Sequence, residues 1–471
     1  MPLRCWICLL VLNCIGTSLT IAVEPIDIGT RLEPLVDDFL IQEMTGDVAQ
    51  QLRRPEPREV VLVTDQPWEG NTSAYYTVFR DDDRFRMYYR GSHFDEATRK
   101  SAHREVTCYA ESEDGIHWVK PHLGLFEFNG SKANNIVWDG IGSHCFVVFK
   151  DQNPDCAPEA KYKGISRGRP LGKRGLYIFQ SPDGLRWSLM QPEPVILEGA
   201  FDSQNLAFWD AHSQLYREYH RTFTDRVRAI MTSTSDDYVN WSEPVLLRYP
   251  NAPAQHLYTN AVMPYPGAPQ LLIGFPTRYL PDEGQRVEPT FMTSRDGVTF
   301  QRWLEPLIPE TAPQDRDGNR SNYMAWGMVE LPSRPGHFSV YATEAYYTGP
   351  DSRLRRFEFR RDGLVAITGG AQGGELVTKP ILLGELADRL TVNFRTHDTG
   401  SLRVALETLA GKPVAGYEAE NCVPLRGDSL QANVTWASGA DLSALRGQVV
   451  RLRFHLQQAD LFSLQFQTWL R

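Results

Sequence analysis

Cysteine is scarce in this chain of 471 residues, with seven in all. Three of them (Cys5, Cys8, Cys14) fall within the first 22 residues. The remaining Cys108, Cys145, Cys156 and Cys422 stand at spacings that match no zinc pattern and are too few for a disulfide scaffold, although a Cys145–Cys156 bridge stays open. Positive charge is also short: 49 Lys and Arg against 58 Asp and Glu leave a formal net charge of −9. That balance argues against a nucleic-acid partner, because phosphate binding needs a basic surface. Long apolar runs are confined to the start, MPLRCWICLLVLNCIGTSLTIA, where one basic residue precedes an apolar stretch ending on a small residue, Ala22. This pattern predicts a secretory signal peptide over residues 1–22, a secreted or periplasmic protein, and no membrane span. Dinucleotide, P-loop, zincin and nucleophile-elbow motifs are all missing, so no cofactor is implied.

Amphipathic helical periodicity is almost absent between residues 30 and 370. What stands there instead is a repeated turn: SEDGIHW (112–118), SPDGLRW (181–187), SDDYVNW (235–241) and SRDGVTF (294–300), with RRDGLVAI placing Asp362 in register. The intervals leave room for four strands each time, and alternating Tyr- and Phe-rich runs such as SAYYTVFRDDDRFRMYYRG supply them. Five such units, none able to bury both sheet faces alone, predict an all-β, five-bladed β-propeller over residues 23–372. The turns themselves read as scaffold: Ser and Asp bond the turn backbone, Gly supplies positive φ, and the Trp wedges between blades. Tyr238, where Gly is expected, predicts a wider third turn. After the Gly-rich joint GGAQGGE, short alternating strands predict a β-sandwich over residues 373–471.

Inner strands of a propeller converge at one end of the axis, so polar residues opening each of them meet there. Blade one offers Glu69 and Asn71, blade three Asp202 and Asn205. Blade four offers His256, Tyr258 and Asn260, and blade five Asn322, Tyr323 and Trp326. Second strands add Arg90, Glu218, His220, Arg221, Arg278 and Glu344. This acidic, aromatic collection suits a sugar. Glu218 and His220, two apart on one strand face, read equally well as a buried structural pair.

At these residues a resemblance enters. PWEGNTSAYYTVFRDDDRFRMYYRG with CYAESEDGIHW resembles the first blade of the five-bladed glycosidase superfamily that includes glycoside hydrolase families 32, 43 and 130. PLVDDFLI, FDSQNLAFWDAHSQLYREYHR and GSLRVALETLAGKPVAGYEAENCVPLRGDS resemble secreted bacterial proteins described as family-32-like. The resemblance implies a propeller hydrolase with carboxylates on its inner strands. Asp202 matches the second-half aspartate of that pattern and Glu69 the Trp-Glu of phosphorylase-like members; the family-32 nucleophile, Arg-Asp-Pro and Glu-Cys motifs are missing.

The expectation is a glycoside hydrolase acting on a poly- or oligosaccharide, with Glu69, Asp202 and Glu218 as catalytic carboxylates. Asn71, Arg90, Asn205, His220, His256, Tyr258, Asn260, Arg278, Tyr323, Trp326 and Glu344 would bind the substrate. Crowded carboxylates should repel and raise the pKa of at least one, giving the acid. A glycan-binding propeller without catalysis, and a protein-interaction platform, are the alternatives.

Overall fold

The computed structural model describes residues 24–169, 172–308, 311, 312 and 322–469, so the expected signal peptide lies outside the described residues. Among these residues there is no α-helix, and 3₁₀ turns stand at Pro158–Ala160 and Ser443–Leu445. Five four-stranded antiparallel sheets form the propeller. The inner strands are Ala74–Asp81, Val147–Lys150, Leu206–Asp210, Met263–Tyr265 and Val329–Glu330. The cysteines are free thiols, Cys108, Cys145 and Cys422 buried and Cys156 partly so; the Cys145–Cys156 bridge is not formed.

The repeated turn works as its composition predicts. In the first copy the Ser112 hydroxyl accepts from the Gly115 N–H at 2.9 Å, and Asp114 Oδ1 accepts from the Ile116 and His117 N–H groups at 2.8 Å each. The same pattern recurs at Asp183, Asp237 and Asp296. Tyr238 does not widen its turn: it adopts φ of 67°, close to the 76° of Gly115.

Tyrosine explains why that strain is tolerated. Each blade interface carries at least one tyrosine hydroxyl donating to a turn or strand of its neighbour. Tyr341 bonds Gly115 O at 2.7 Å, Tyr88 bonds Gly184 O at 2.9 Å and Tyr219 bonds Gly297 O at 2.9 Å. Between blades four and five, Tyr265 bonds the Asp362 carboxylate at 2.8 Å. Between blades two and three the direction reverses: the turn's own Tyr238 reaches back to Gly164 O at 2.9 Å. Tyr219→Phe should leave the buried Gly297 carbonyl without its donor and cost about 1–3 kcal/mol. Calorimetry checks this; an unchanged melting midpoint would deny the latch any energetic role.

Ring closure departs from the sequence expectation. The fifth blade has only three strands of its own, and its outer strand is Glu56–Val63, paired to Arg353–Arg360. After Asp362 the chain leaves the propeller along Val365–Thr378, which crosses the expected domain joint at 373. The N-terminal strands Glu33–Pro34 and Ile41–Leu52, expected to be propeller, pair instead with Val449–Gln467 and Val365–Thr378. The sandwich is thus an eight-stranded assembly with its own core around Leu390, Phe394, Leu452 and Phe454, fed from both ends of the chain.

Candidate active site at the mouth of the axial channel

The run-in loops of the inner strands, with loops and strands from blades one and five, enclose a polar pocket of about 140 Å³. Its lining includes Thr72, Tyr75, Arg90, Glu105, His144, Asp202, Tyr258 and Tyr346. At its centre His144 bridges two carboxylates: Nε2 lies 3.0 Å from Asp202 and Nδ1 lies 3.0 Å from Glu105. Arg167 adds a second contact to Asp202 at 3.1 Å. Arg90, fully inside the wall, donates to Thr72 O at 2.6 Å and to the Tyr346 hydroxyl at 2.9 Å, and its guanidinium stands 4.8 Å over the Tyr75 ring. The Asp202 side chain is 52% exposed, so it faces incoming solute.

These contacts set the protonation states. The hydrogen bond from His144, with the charges of Arg167 and Arg221, holds the Asp202 carboxyl well below the usual carboxylate range. Burial works against the Glu105 charge, but His144, Arg90 and Arg167 outweigh it and its pKa is lowered as well. The expected raised carboxyl is therefore not what the free pocket presents. The hydrogen bonds of His144 and the attraction of the nearby arginines outweigh the mutual repulsion.

Backbone strain collects at the same place. Tyr75, Ala345 and Tyr347 have φ of 59°, 57° and 60°, in the left-handed region that non-glycine residues rarely occupy. Such conformations persist where surroundings over-determine them, as the Arg90 guanidinium and the His144 ring do for Tyr75.

Of the residues expected from sequence, Asp202, Arg90 and Tyr258 line this pocket. Tyr323 stands behind it, its ring against Tyr258 and Tyr346. The expected convergence of three carboxylates does not occur. Glu69 is buried beneath blade one, bonded to the Tyr89 hydroxyl at 2.5 Å and to Lys120 at 2.6 Å. Glu218 and His220 form a fully buried pair at 2.9 Å, the structural reading of that strand face. Asn71 clamps the backbone of Phe94 and Gly349, and Asn205 bonds its own loop at Phe201 and Ser203. Asn260 donates toward Gln204 O and Tyr219 O, and His256 lies against Arg228 and Tyr279. Arg278 and Glu344 are taken by Glu288 and Arg355. Trp326 crosses the channel below the pocket: its N–H bonds Tyr76 O and its indole bonds Val262 O, each at 2.8 Å. It joins blade five to blades one and four as a floor.

Sequence reasoning missed Glu105 and His144. His144 opens the inner strand of blade two, in SHCFVVFKD, and the rule that selected the other run-ins applies to it equally. Glu105 arrives from a loop before a third strand, where no periodicity marks it. Among the described residues no group of three or more His, Cys, Asp or Glu is placed to hold a metal ion.

No family model matches the chain, and no curated protein matches it in sequence. Solved structures do resemble it. A protein described as a glycoside hydrolase aligns over 65% of this chain and 92% of its own, at 11% identity and a TM-score of 0.45. A glycoside hydrolase family 43 arabinoxylan arabinofuranohydrolase from Bacillus subtilis, in complex with cellotetraose, aligns over 86% of this chain and 98% of its own, at 12% identity and a TM-score of 0.39. An N-acetylgalactosamine deacetylase from F. plautii, in complex with blood group B trisaccharide, aligns over 71% and 96%, at 15% identity and a TM-score of 0.40. The five-bladed architecture of this chain rests on its own strand pairing.

Proposed function

We propose that this chain is an exported glycoside hydrolase whose substrate, a poly- or oligosaccharide, enters the axial pocket. The observation that carries the reading is the pair of ionised carboxylates, Asp202 and Glu105, held on opposite edges of one imidazole inside a wall of Tyr75, Tyr258 and Tyr346. Aromatic faces and bidentate polar groups are what sugar rings and their hydroxyls require. Asp202, exposed and anionic, takes the part of nucleophile or of base toward water; Glu105 takes the part of acid. For that, substrate must separate Glu105 from His144 and Arg90, removing the contacts that keep it ionised and leaving the desolvation that favours its protonated form. Export rests on the apolar N-terminal segment alone.

A second reading, glycan binding without cleavage, draws on the same pocket: no carboxyl there is poised as an acid before substrate arrives. Incubating the purified chain with a panel of polysaccharides and measuring new reducing ends separates the two. Product that disappears in both Asp202→Asn and Glu105→Gln supports hydrolysis. Saturable binding with no product in the parent protein overturns hydrolysis in favour of binding, and no glycan binding at all overturns both.

A further inference from the structure

The charge around the pocket runs against that of the chain. In a protein of net charge −9, three arginines, Arg90, Arg167 and Arg221, act on the two carboxylates, and a fourth, Arg228, stands over the Tyr258 ring of the pocket wall. Arg90 is occupied by Thr72 O, the Tyr346 hydroxyl and, at 3.7 Å, Glu105. Arg167 is paired with Asp202. Arg221 and Arg228 are different. Their guanidinium carbons stand 4.9 and 5.3 Å from the centre of one ring, Tyr258, and 5.6 and 5.5 Å from the centre of another, Phe223. Two like charges thus share one aromatic seat beside the pocket, and among the described residues neither forms an ion pair with a carboxylate. Arg221 is only 5% exposed and spends its Nε on Ala200 O at 3.2 Å. The Nε of Arg228 is buried without any acceptor.

Arg221 is buried and meets the Asp202 charge only without direct contact, so a second cation on the same ring, the partly exposed Arg228, adds repulsion that no paired carboxylate offsets. A neutral sugar would offer hydroxyls to their N–H groups and leave the repulsion in place. A carboxylate or sulfate ester would neutralise it and accept from both planar forks, the geometry in which arginine binds oxyanions best.

We infer that the glycan taken by this pocket is anionic, with a carboxylate or sulfate of the sugar docking on Arg221 and Arg228 at the Asp202 side of the mouth. This rests on the glycan reading above and narrows it to uronic-acid or sulfated sugars. Asp202 is placed to keep Arg167 oriented and, by its own negative charge, to restrict the anion to the arginine side.

Titration calorimetry on the whole protein tests this with two matched pairs. One pair is trigalacturonate and its methyl ester; the other is a sulfated galactan oligosaccharide and its desulfated form. The charged member of at least one pair should bind about tenfold or more tighter than its neutral partner. That advantage should shrink as salt rises from low to several hundred millimolar, because the sites are near the surface and screened. Arg228→Gln, at a partly exposed position, should erase most of the advantage while leaving affinity for the neutral member within about twofold. The arm that responds tells carboxylate from sulfate. Neutral forms binding as well as charged ones would overturn the inference and leave the glycan pocket standing. A charge preference that survives Arg228→Gln unchanged would overturn the assigned residues. Failure of all four probes, with neutral glycans of the wider panel also failing, would overturn both the inference and the reading beneath it.

Discussion

Asp202→Asn should lower turnover of any glycan the parent cleaves by a factor on the order of a hundred to ten thousand, the range expected for losing one acid–base or nucleophilic group. The side chain is half exposed and closes no core contact, so circular dichroism and the melting midpoint should be nearly unchanged. The amide keeps the size of the carboxylate but loses its charge, and with it the pull on His144 and Arg167. The acid limb of kcat/KM carries an independent mark. Both Asp202 and Glu105 are held below their ordinary range, so the carboxylate needed as an anion should stay active below the usual pH of about 4. A variant as fast as the parent, or an acid limb centred above pH 5, would remove Asp202 from the chemistry.

Glu358→Gln should be the most damaging single change to the scaffold, because that carboxylate helps close the ring. It lies 2% exposed on the third strand of blade five and takes Arg58 at 2.9 Å, Arg334 at 2.7 Å and Arg356 at 3.0 Å. Arg58 comes from Glu56–Val63, the N-terminal strand that completes the blade. Burial opposes the charge, but the three arginines overcome it and pull the pKa down to about 2 from an ordinary 4.5. A depressed carboxyl stabilises the folded state fully above its unfolded pKa, and the contribution is lost as pH falls toward the folded value. The window is therefore about pH 4.5 down to 2, and the share at neutral pH is on the order of 3 kcal/mol. Denaturant unfolding of parent and variant should differ by about that much at pH 7 and by clearly less at pH 3. An equal difference at both values would mean that packing, and not the charge, is what the substitution removes.

Much of this molecule was legible along the chain. The Ser-x-Asp-Gly turns announced a repeat because their hydrogen bonds are local: Ser112, Asp114 and Gly115 satisfy one another within four residues, and the Ser-x-Asp spacing recurs at Ser181, Ser235 and Ser294. Strand number followed from alternation, which is also local. The Tyr238 turn was misjudged because its compensation is not local; the hydroxyl that steadies its positive φ finds its acceptor in another blade, 74 residues away. The destination of the strand Ile41–Leu52 escapes the sequence for the same reason, since nothing in IQEMTGDVAQQL says that its partner is Val365–Thr378.

The candidate site divides along the same line. Composition along the chain was enough to show that polar and aromatic residues open the inner strands, and hence that Asp202 and Tyr258 would meet at one mouth, with Arg90 added from a second strand. Which carboxylates face that mouth depends on the packed fold. Glu69 and Glu218 occupy strands and loops as suitable as those of Asp202, yet Lys120 and His220 draw them inward, while Glu105 is carried to the pocket by a loop with no pattern of its own. Ionisation was decided there too: repulsion between carboxylates is a statement about two residues, whereas the lowered pKa values reflect a histidine and three arginines converging from three blades. Periodicity records what a residue's neighbours in the chain require of it. Which charge a side chain finally meets depends mostly on contacts between segments tens of residues apart, such as His144 with Glu105 and Asp202, and those are set only when the strands and blades pack.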